Sequence, residues 1–204
     1  MATITIHRQH AFALVCALAC FIAGCASDPQ KMDAIRAAST AFRGDYEKIL
    51  AEKGTRVVKN SRADAFVAMR VVLAGMGMKT ENQDQALGTL RVAAAAPSPL
   101  TEAEWMRVAE EDLPLLKKHI EPYVGMAANF VKFEPQGLDI VITATFVDTS
   151  AGTEVSLTVR ARETAPPKVG WPRREYLSPG PVRVGLDKIW SAFEQELRSL
   201  PQRP

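Results

Sequence analysis

The chain has 204 residues, of which 47% are hydrophobic and 24% are charged, and its net charge is +2. This length is enough for one ordinary hydrophobic core and leaves little room for two full domains. The charge balance lacks the strong basic excess of a nucleic-acid-binding protein, so we expect no nucleic acid partner.

The first 24 residues are typical of an export signal. Residues 1–10 contain Arg8 and no acidic residue, and Ala11–Ala23 then form an apolar run without a charge. Such a run is too short for a hydrocarbon core, which needs about 20 apolar residues. We therefore predict that residues 1–24 are a signal peptide and not a permanent membrane span.

The apolar run ends in Ile22, Ala23, Gly24 and Cys25, a segment that resembles the lipobox of bacterial lipoproteins. The resemblance implies cleavage before Cys25, a diacylglyceryl group on its thiol, and an N-acyl group such as palmitate on the new amino terminus. The alternative is an ordinary signal peptide with a chance cysteine at the cleavage site. Because a single acyl chain is only a marginal anchor, two or three chains on Cys25 would hold the protein on a bilayer.

The residue after the predicted lipidation site bears on which membrane carries the protein. In lipoproteins of Gram-negative bacteria an aspartate there favours retention in the inner membrane, whereas this chain has Ala26. By this resemblance we expect the periplasmic side of the outer membrane, with the inner membrane as the alternative. Cys16 and Cys20 lie within the signal peptide, so we expect a mature domain without a thiol for a disulfide.

The mature chain divides into two parts. Residues 25–54 hold the lipidated end, a tether over Asp28–Lys31 and a short helix, and residues 55–204 form a single domain that opens with a strand over Thr55–Lys59. The helix is predicted from apolar residues near helical spacing, which Gly44 interrupts. These residues are Met32, Ile35, Ala38, Phe42, Tyr46 and Ile49.

A helix and a hairpin follow the first strand. Ser61 and Asp64 have the spacing of an N-cap and its third helical residue, and Gly75 and Gly77 mark the end of the helix. Short strands over residues 78–83 and 87–93 surround a turn. The apolar face of the helix consists of Phe66, Met69, Val72, Leu73 and Met76.

The next segment predicts a second amphipathic helix. Thr101 and Glu104 are spaced as a capping box. Pro114 lacks an amide donor and its ring clashes with the preceding turn, so we expect the helix to kink or restart near Asp112.

The remaining elements define the fold class. Phe130–Phe133, Leu138–Val147 and Thr153–Arg162 predict antiparallel strands, and the strict alternation in the last two predicts a sheet with one packed and one wet face. A C-terminal helix can cover the packed face with its apolar stripe of Leu186, Ile189, Trp190, Phe193, Leu197 and Leu200. The sequence therefore predicts an α+β fold, an antiparallel sheet with helices packed on one face.

The order of a helix and then a hairpin over Val57–Ala95 resembles the helix-grip units of BamC-like lipoproteins of the outer-membrane β-barrel assembly machinery. The stretch that carries the resemblance is NSRADAFVAMRVVLAGMGMKTENQDQALGTLRVAA. The resemblance implies a helix-grip fold and a place in the cell envelope, and it assigns no binding residue.

The sequence offers no catalytic constellation, and we predict a protein that is not an enzyme and needs no cofactor or metal. His119 is the histidine left after signal removal, and beside two lysines at a helix end it is typical of a solvated residue. The acidic run Glu110–Asp112 is typical of a solvated helix face. No phosphate-binding or nucleophile motif is present, and a Ser-Lys hydrolase stays a distant alternative.

A long segment over residues 164–185 is the predicted interaction site. It is rich in proline and, as a connection without evident regular structure, is of a kind that is often functional. Trp, Tyr and Arg are enriched at binding hot spots, which makes Trp171, Arg173, Arg174 and Tyr176 the candidate partner-binding residues. The alternative is that the aromatic side chains fold back onto the domain.

Two functions follow from these observations. The first is a membrane-anchored, periplasm-facing lipoprotein that binds or scaffolds another envelope protein. The second is a carrier of a small apolar or lipid ligand, held between the sheet and the C-terminal helix in a pocket lined by residues such as Ile142, Phe146 and Trp190.

Overall fold

The computed structural model describes residues 28–166, 175–176 and 178–200. Cys25, the predicted signal peptide and the stretch with Trp171, Arg173 and Arg174 lie outside these residues. The helices are α1 (Asp28–Lys53), α2 (Arg62–Gly75), α3 (Glu102–Val124) and α4 (Pro179–Ser199), with a 3₁₀ helix over Gly125–Phe130. The strands are β1 (Thr55–Val58), β2 (Lys79–Asp84), β3 (Thr89–Ala95), β4 (Leu138–Thr149), β5 (Gly152–Glu163) and β6 (Glu175–Tyr176).

The strands form one antiparallel sheet in the order β1-β5-β4-β3-β2, and β6 pairs with the far end of β5. The β4–β5 hairpin is its centre, with Leu138 opposite Glu163 and Thr149 opposite Gly152. Strand β3 pairs along β4 with Thr89 opposite Thr145 and Ala95 opposite Asp139. The described residues therefore form an α+β fold, as the sequence predicts.

The apolar face of the sheet and the helices make one main core. Ile140, Ile142, Ala144 and Phe146 of β4 are buried, as are Val155, Leu157, Val159 and Ala161 of β5, which confirms the predicted inward face. Helices α2 and α4 pack on this face, and α1 and α3 pack against α4. The buried helix residues include Phe66, Met69, Leu73, Trp105, Leu186, Ile189, Trp190 and Phe193.

The predicted helix starts are present as hydrogen bonds. The Asp64 amide donates to the Ser61 hydroxyl at 3.2 Å, which caps α2. At α3 the Glu104 amide donates to the Thr101 hydroxyl at 3.2 Å, and the Thr101 amide donates to the Glu104 carboxylate at 2.7 Å. Both ends of this capping box are therefore satisfied.

The N-terminal helix differs from the prediction. The expected tether over Asp28–Lys31 is wrong, because these residues form the first turn of α1, and the expected interruption at Gly44 is absent from a continuous helix of 26 residues. Gly44 is exposed, and a Cβ atom added there would meet no other atom within 4 Å. Glycine at this position therefore weakens the helix only through its low helix propensity. The apolar stripe is a packing face, since Phe42 and Tyr46 are buried.

Two further predictions concern the middle of the chain. Helix α3 was expected to kink or restart near Asp112, and it does not restart, because Pro114 removes a single backbone bond whose acceptor belongs to the exposed residue Glu110. The strand expected over Phe130–Phe133 is absent, because the 3₁₀ helix extends to Phe130 and the next residues form no ladder.

The loop expected over residues 164–185 is shorter than predicted. Helix α4 begins at Pro179, since Pro179 and Pro181 occupy its first turn, where amide donors have no intrahelical partner. Glu175 and Tyr176 form β6 opposite Arg162 and Ala161. None of the described helices is long and apolar enough to cross a membrane.

Helices α1 and α3 run antiparallel, which places the start of α1 beside the end of α3. Ala34 of α1 packs with Ile120 of α3 and Ala128 of the 3₁₀ helix in a small second core. At the opposite end, the Lys53 ammonium binds the Asp187 carboxylate at 2.7 Å. The Trp190 indole also donates to the Lys53 carbonyl at 2.6 Å.

Candidate binding surfaces

The residues that the sequence singled out lie mostly outside the described part of the chain. The residues outside that part are Cys25, Trp171, Arg173 and Arg174. Tyr176 is described only as the β6 residue opposite Ala161. The pairing brings the end of the proline-rich segment to the edge of β5 near Glu163. The proposed role of these side chains therefore stays a prediction.

The interface suggested for an apolar ligand is filled by side chains. Ile142, Phe146 and Trp190 are fully or almost fully buried and belong to the main core. Phe146 packs against Phe66 with ring centroids 5.3 Å apart, and Trp190 packs against Phe193 at 5.8 Å. These side chains occupy the position where the sequence suggested a pocket.

A groove of about 520 Å³ lies instead between α1, α3 and the segment from Val131 to Leu138. Its volume is within the range of small-molecule pockets, about 300–1,000 Å³. The apolar part of its wall comes from Ala34, Ile35, Phe42, Leu116, Ile120 and Val124, and from Val131, Phe133 and Leu138. The charged residues at the same groove are Lys31, Lys132, Glu134 and Glu163.

The groove follows from how the two helices pack. Helix α1 contributes Ile35 and Phe42 from its apolar stripe, and α3 contributes Leu116 and Ile120 from its own. The segment after the 3₁₀ helix has no regular structure from Val131 to Glu134 and is fixed by the Trp105 indole, which donates to the Phe133 carbonyl at 3.0 Å. The Trp105 and Phe133 rings also stack with centroids 5.3 Å apart. Trp105, in the first turn of α3, thus fixes this wall of the groove.

The wet face of the sheet carries a second candidate surface, a charged cluster beside a small cavity. Arg91, Thr143, Thr158, Arg160 and Arg162 line a cavity of about 240 Å³. Glu81 bridges two of the arginines, at 3.0 Å from the Arg91 Nε and 2.5 Å from an Arg162 Nη. The hydrogen bond from Arg162 is the largest effect that lowers the pKa of Glu81.

The charged cluster is largely neutralised internally. Arg162 is only partly exposed and also lies 3.5 Å from the Asp139 carboxylate. Paired charges of this kind bind added anions less strongly than a free arginine cluster would. We therefore treat this face as an ordered polar surface of the sheet.

The acidic run on α3 serves the packing of α4. The Asp112 carboxylate accepts a bond from the Ser178 hydroxyl at 2.8 Å and one from the Gly180 amide at 2.9 Å. Burial raises the pKa of Asp112, while the bonds from Gly180 and Ser178 act in the opposite direction. Asp112 therefore caps the start of α4 from another helix, which corrects its reading as part of a solvated face.

The remaining candidates for chemistry lie at or near the surface. His119 of α3 is partly buried, and the exposed Glu111 forms an ion pair with Arg183 at 2.9 Å. Within residues 28–166, 175–176 and 178–200, no group of three or more histidine, cysteine or acidic residues is placed to hold a metal ion.

The chain matches no protein-family model, no curated protein and no solved structure. The groove is the more apolar of the two cavities described above, and the sequence did not identify it. Its residues Ile35, Phe42 and Ile120 carried a signal, the helical spacing of apolar positions, but that spacing also describes ordinary packing. Only the antiparallel arrangement of α1 and α3 shows that these stripes leave a gap between them.

Proposed function

We propose that this chain is a lipid-anchored protein of the bacterial envelope, which faces the periplasm from the outer membrane and acts by binding or scaffolding another envelope protein. The observation that carries the proposal is the apolar run ending in Ile22, Ala23, Gly24 and Cys25. Diacylglyceryl and N-acyl groups on Cys25 would be the membrane anchor. The proposal includes no cofactor and no catalytic residue.

The start of α1 supports this proposal. The helix begins at Asp28, three residues after Cys25, and three residues span at most about 10 Å. Because α1 packs along α3 and α4, an anchor on Cys25 would be coupled to the folded domain through only three residues. A lipid on Cys25 would therefore hold the domain close to the bilayer surface.

The helix-grip likeness belongs to the same proposal. Helix α2 is followed by the β2–β3 hairpin, and α2 packs on the sheet face that the hairpin extends. This order supports a BamC-like unit, and we propose the helix-grip description on that basis. A binding role is in keeping with such a module, since the order assigns no reactive residue.

The first experiment tests the anchor in cells. The wild-type chain and Cys25→Ser are expressed in a Gram-negative host supplied with labelled palmitate, and membranes are separated. We expect the wild type in the outer-membrane fraction with label, and Cys25→Ser without label and released from that fraction or retained unprocessed. Label at equal levels in both proteins would contradict the proposal.

The second experiment tests the partner. Crosslinking in intact cells, followed by mass spectrometry, should recover an envelope protein with the wild type. Changing Trp171, Arg173 and Arg174 to alanine should remove that crosslink, whereas changing the exposed Arg70 and Arg107 to alanine should not. A crosslink that survives the first set of changes would exclude the proline-rich segment as the binding site.

The groove favours a second candidate function, the binding of a small apolar or lipid ligand. Its apolar wall and its volume of about 520 Å³ suit an acyl chain or a similar group. Ile35→Trp would fill the groove, and Val71→Trp is a control on the exposed side of α2. We expect a fluorescent fatty acid to bind the wild type and the control with equal affinity and Ile35→Trp at least tenfold more weakly. Equal affinity of all three would exclude the groove.

A further inference from the structure

A run of uncharged residues connects the end of α3 to the groove. Pro122–Val131, with the sequence PYVGMAANFV, contains no acidic or basic side chain. It covers the last turn of α3 and the 3₁₀ helix over Gly125–Phe130. Only Ala128 of this run is buried. The rest of the run is exposed or partly exposed, and for its large apolar residues, such as Met126 and Phe130, this exposure is unusual.

The most exposed apolar side chains of the described residues lie in this run. Met126 is 83% exposed and Phe130 is 76% exposed, and Tyr123, three positions before Met126, is 41% exposed. Clustered apolar residues on a protein surface mark sites of contact with another protein or a membrane, unlike apolar residues scattered singly. We name Tyr123, Met126 and Phe130 the apolar tip.

The apolar tip lies at the end of the molecule where α1 begins. Ala128, between Met126 and Phe130, packs against Ala34 in the small second core. Ala34 is six residues from the start of α1, a rise of about 9 Å along a helix. Cys25 precedes that start by three residues, which reach at most about 10 Å. The tip is therefore close to the proposed lipid.

From this placement we propose that the apolar tip is a second membrane contact, which enters the interfacial region of the bilayer that holds Cys25 and fixes the orientation of the domain. The inference rests on the proposed function. Interfacial segments commonly bury Phe and other apolar side chains about 5–10 Å into the headgroup boundary, and Tyr is enriched at that depth. Lys132, with its side chain 77% exposed, follows the run and forms a surface ion pair with Glu134 at 3.4 Å.

A bilayer is favoured over a protein partner by two features of this surface. The tip is short, is free of charge, and shows no row of polar groups of the kind that fixes the register of a protein interface. The tip also packs, through Ala128, against Ala34 near the start of α1, so a lipid on Cys25 would bring the tip towards the same surface at little further cost in translational freedom. A protein partner is an outcome that the experiment below can detect.

The experiment uses the complete lipidated protein in phospholipid vesicles. Met126→Cys and Phe130→Cys each introduce a thiol at an exposed position, and a lipidated Cys25 leaves no competing thiol in the mature chain. The control is Leu87→Cys, which is 73% exposed in the β2–β3 turn. Leu87 precedes Gly88, whose carbonyl accepts the Phe146 amide near one end of β4. Leu138 and the groove lie at the other end of that strand, roughly 25 Å away.

Each thiol carries an environment-sensitive fluorophore, and the vesicles contain phospholipids with spin labels on their acyl chains. We expect the fluorophores at positions 126 and 130 to be quenched at least threefold more than the fluorophore at position 87. Equal quenching at the three positions, with the protein bound to the vesicles, would overturn the inference while the proposed function stands.

Two other outcomes are also decisive. If intact mass shows no lipid and the protein does not float with the vesicles, the proposed function fails, and the inference falls with it. If positions 126 and 130 are unquenched in vesicles but become protected from thiol reagents in native membranes, the tip contacts a protein, which overturns the inference in favour of that partner.

Discussion

Glu104 is a single carboxylate that stabilises two helices. Its Oε2 accepts the Thr101 amide at 2.7 Å, which closes the capping box of α3, and the Lys188 ammonium of α4 at 2.8 Å. The bond from Lys188, and then the bond from the Thr101 amide, lower the pKa of Glu104 to about 2. Glu104 therefore adds stability while it is ionised, and it loses that contribution on protonation.

The first prediction is that Glu104→Gln lowers the free energy of unfolding by about 1 kcal/mol at pH 7, since a charge-assisted bond becomes a neutral one. Folded Glu104 has the lower pKa, so its contribution is complete above the ordinary pKa of 4.5 and disappears as the pH falls towards 2. Urea unfolding of the variant should show a smaller loss of stability over this range than the wild type.

Glu102→Gln is the matched control for this prediction, because Glu102 lies in the same first turn of α3 and is exposed. It should keep the pH dependence of the wild type. Identical pH profiles for Glu104→Gln and the wild type would show that the Lys188 and Thr101 bonds do not set this pKa.

Asp112 has the opposite electrostatic character at the junction of α3 and α4. Burial raises its pKa from the ordinary value of 3.8, in spite of the bonds from Gly180 and Ser178. A raised folded pKa means that this group's contribution to stability falls as the pH rises from 3.8 through the folded value. Asp112 nevertheless supplies the acceptor for the Ser178 hydroxyl and the Gly180 amide, both of which belong to buried residues.

The second prediction is that Asp112→Ala lowers the free energy of unfolding by about 1–3 kcal/mol, because it leaves the Ser178 hydroxyl and the Gly180 amide without their acceptor. Glu111→Ala breaks only the exposed pair with Arg183 and should cost less than about 1 kcal/mol. Urea unfolding measures both. A loss for Asp112→Ala no larger than that for Glu111→Ala would show that the cap on α4 adds nothing.

At the scale of elements, two glycines illustrate opposite requirements. Gly88 ends the β2–β3 turn with φ 65°, and a side chain there would lie 2.3 Å from the Phe146 carbonyl. Gly44 lies within α1, where a side chain would meet no atom within 4 Å. The first position therefore needs glycine, whereas at the second position glycine only weakens the helix.

The third prediction compares alanine at these two positions. Gly88→Ala should lower the free energy of unfolding by more than about 1 kcal/mol, because the side chain must displace the backbone of β4. Gly44→Ala should raise it by about 0.5–1 kcal/mol through helix propensity. Thermal unfolding followed by circular dichroism gives both signs. A stabilising Gly88→Ala would contradict the tight approach of the turn to Phe146.

Elements with a strong local signal were predictable from sequence. Ser61 and Thr101 marked helix starts because capping is a local bond, and the inward face of β4 and β5 followed from strict alternation. The coarse α+β fold rested on these features. Local patterns of this kind report which face of an element is buried but not which element covers it.

Elements whose structure depends on distant contacts were not predictable. The apolar residues Val131 and Phe133 suggested a strand, but they pack against α1 and α3 and form no ladder. The start of α4 at Pro179 is capped by Asp112, which accepts the Gly180 amide and lies 67 residues before Pro179 in the sequence. The groove likewise depends on the packing of α1 against α3, which no single stretch of sequence encodes.

At the scale of the whole molecule, the fold has two distinct ends. The start of α1, the groove and the apolar tip lie at one end, with the hairpin end of β4 and the β2–β3 turn at the other. A lipid on Cys25 would place the first end on the bilayer and direct the second end towards the periplasm.

The fourth prediction follows from this polarity. Surface thiols introduced at Leu87 and Val57 should react with a membrane-impermeant reagent in permeabilised cells at least threefold faster than a thiol at Met126. These three side chains are all largely exposed, so the fold alone predicts similar rates. Similar rates in membranes would mean that the end with the apolar tip does not face a bilayer.

The central claim is that Cys25 carries the lipid that attaches the domain to the envelope. Intact-mass spectrometry of the protein purified from its native host tests this claim most directly. We predict a chain that begins at Cys25 and carries the added mass of a diacylglyceryl group and an N-acyl group. A chain with an unmodified Cys25, or one that retains residues 1–24, would contradict it.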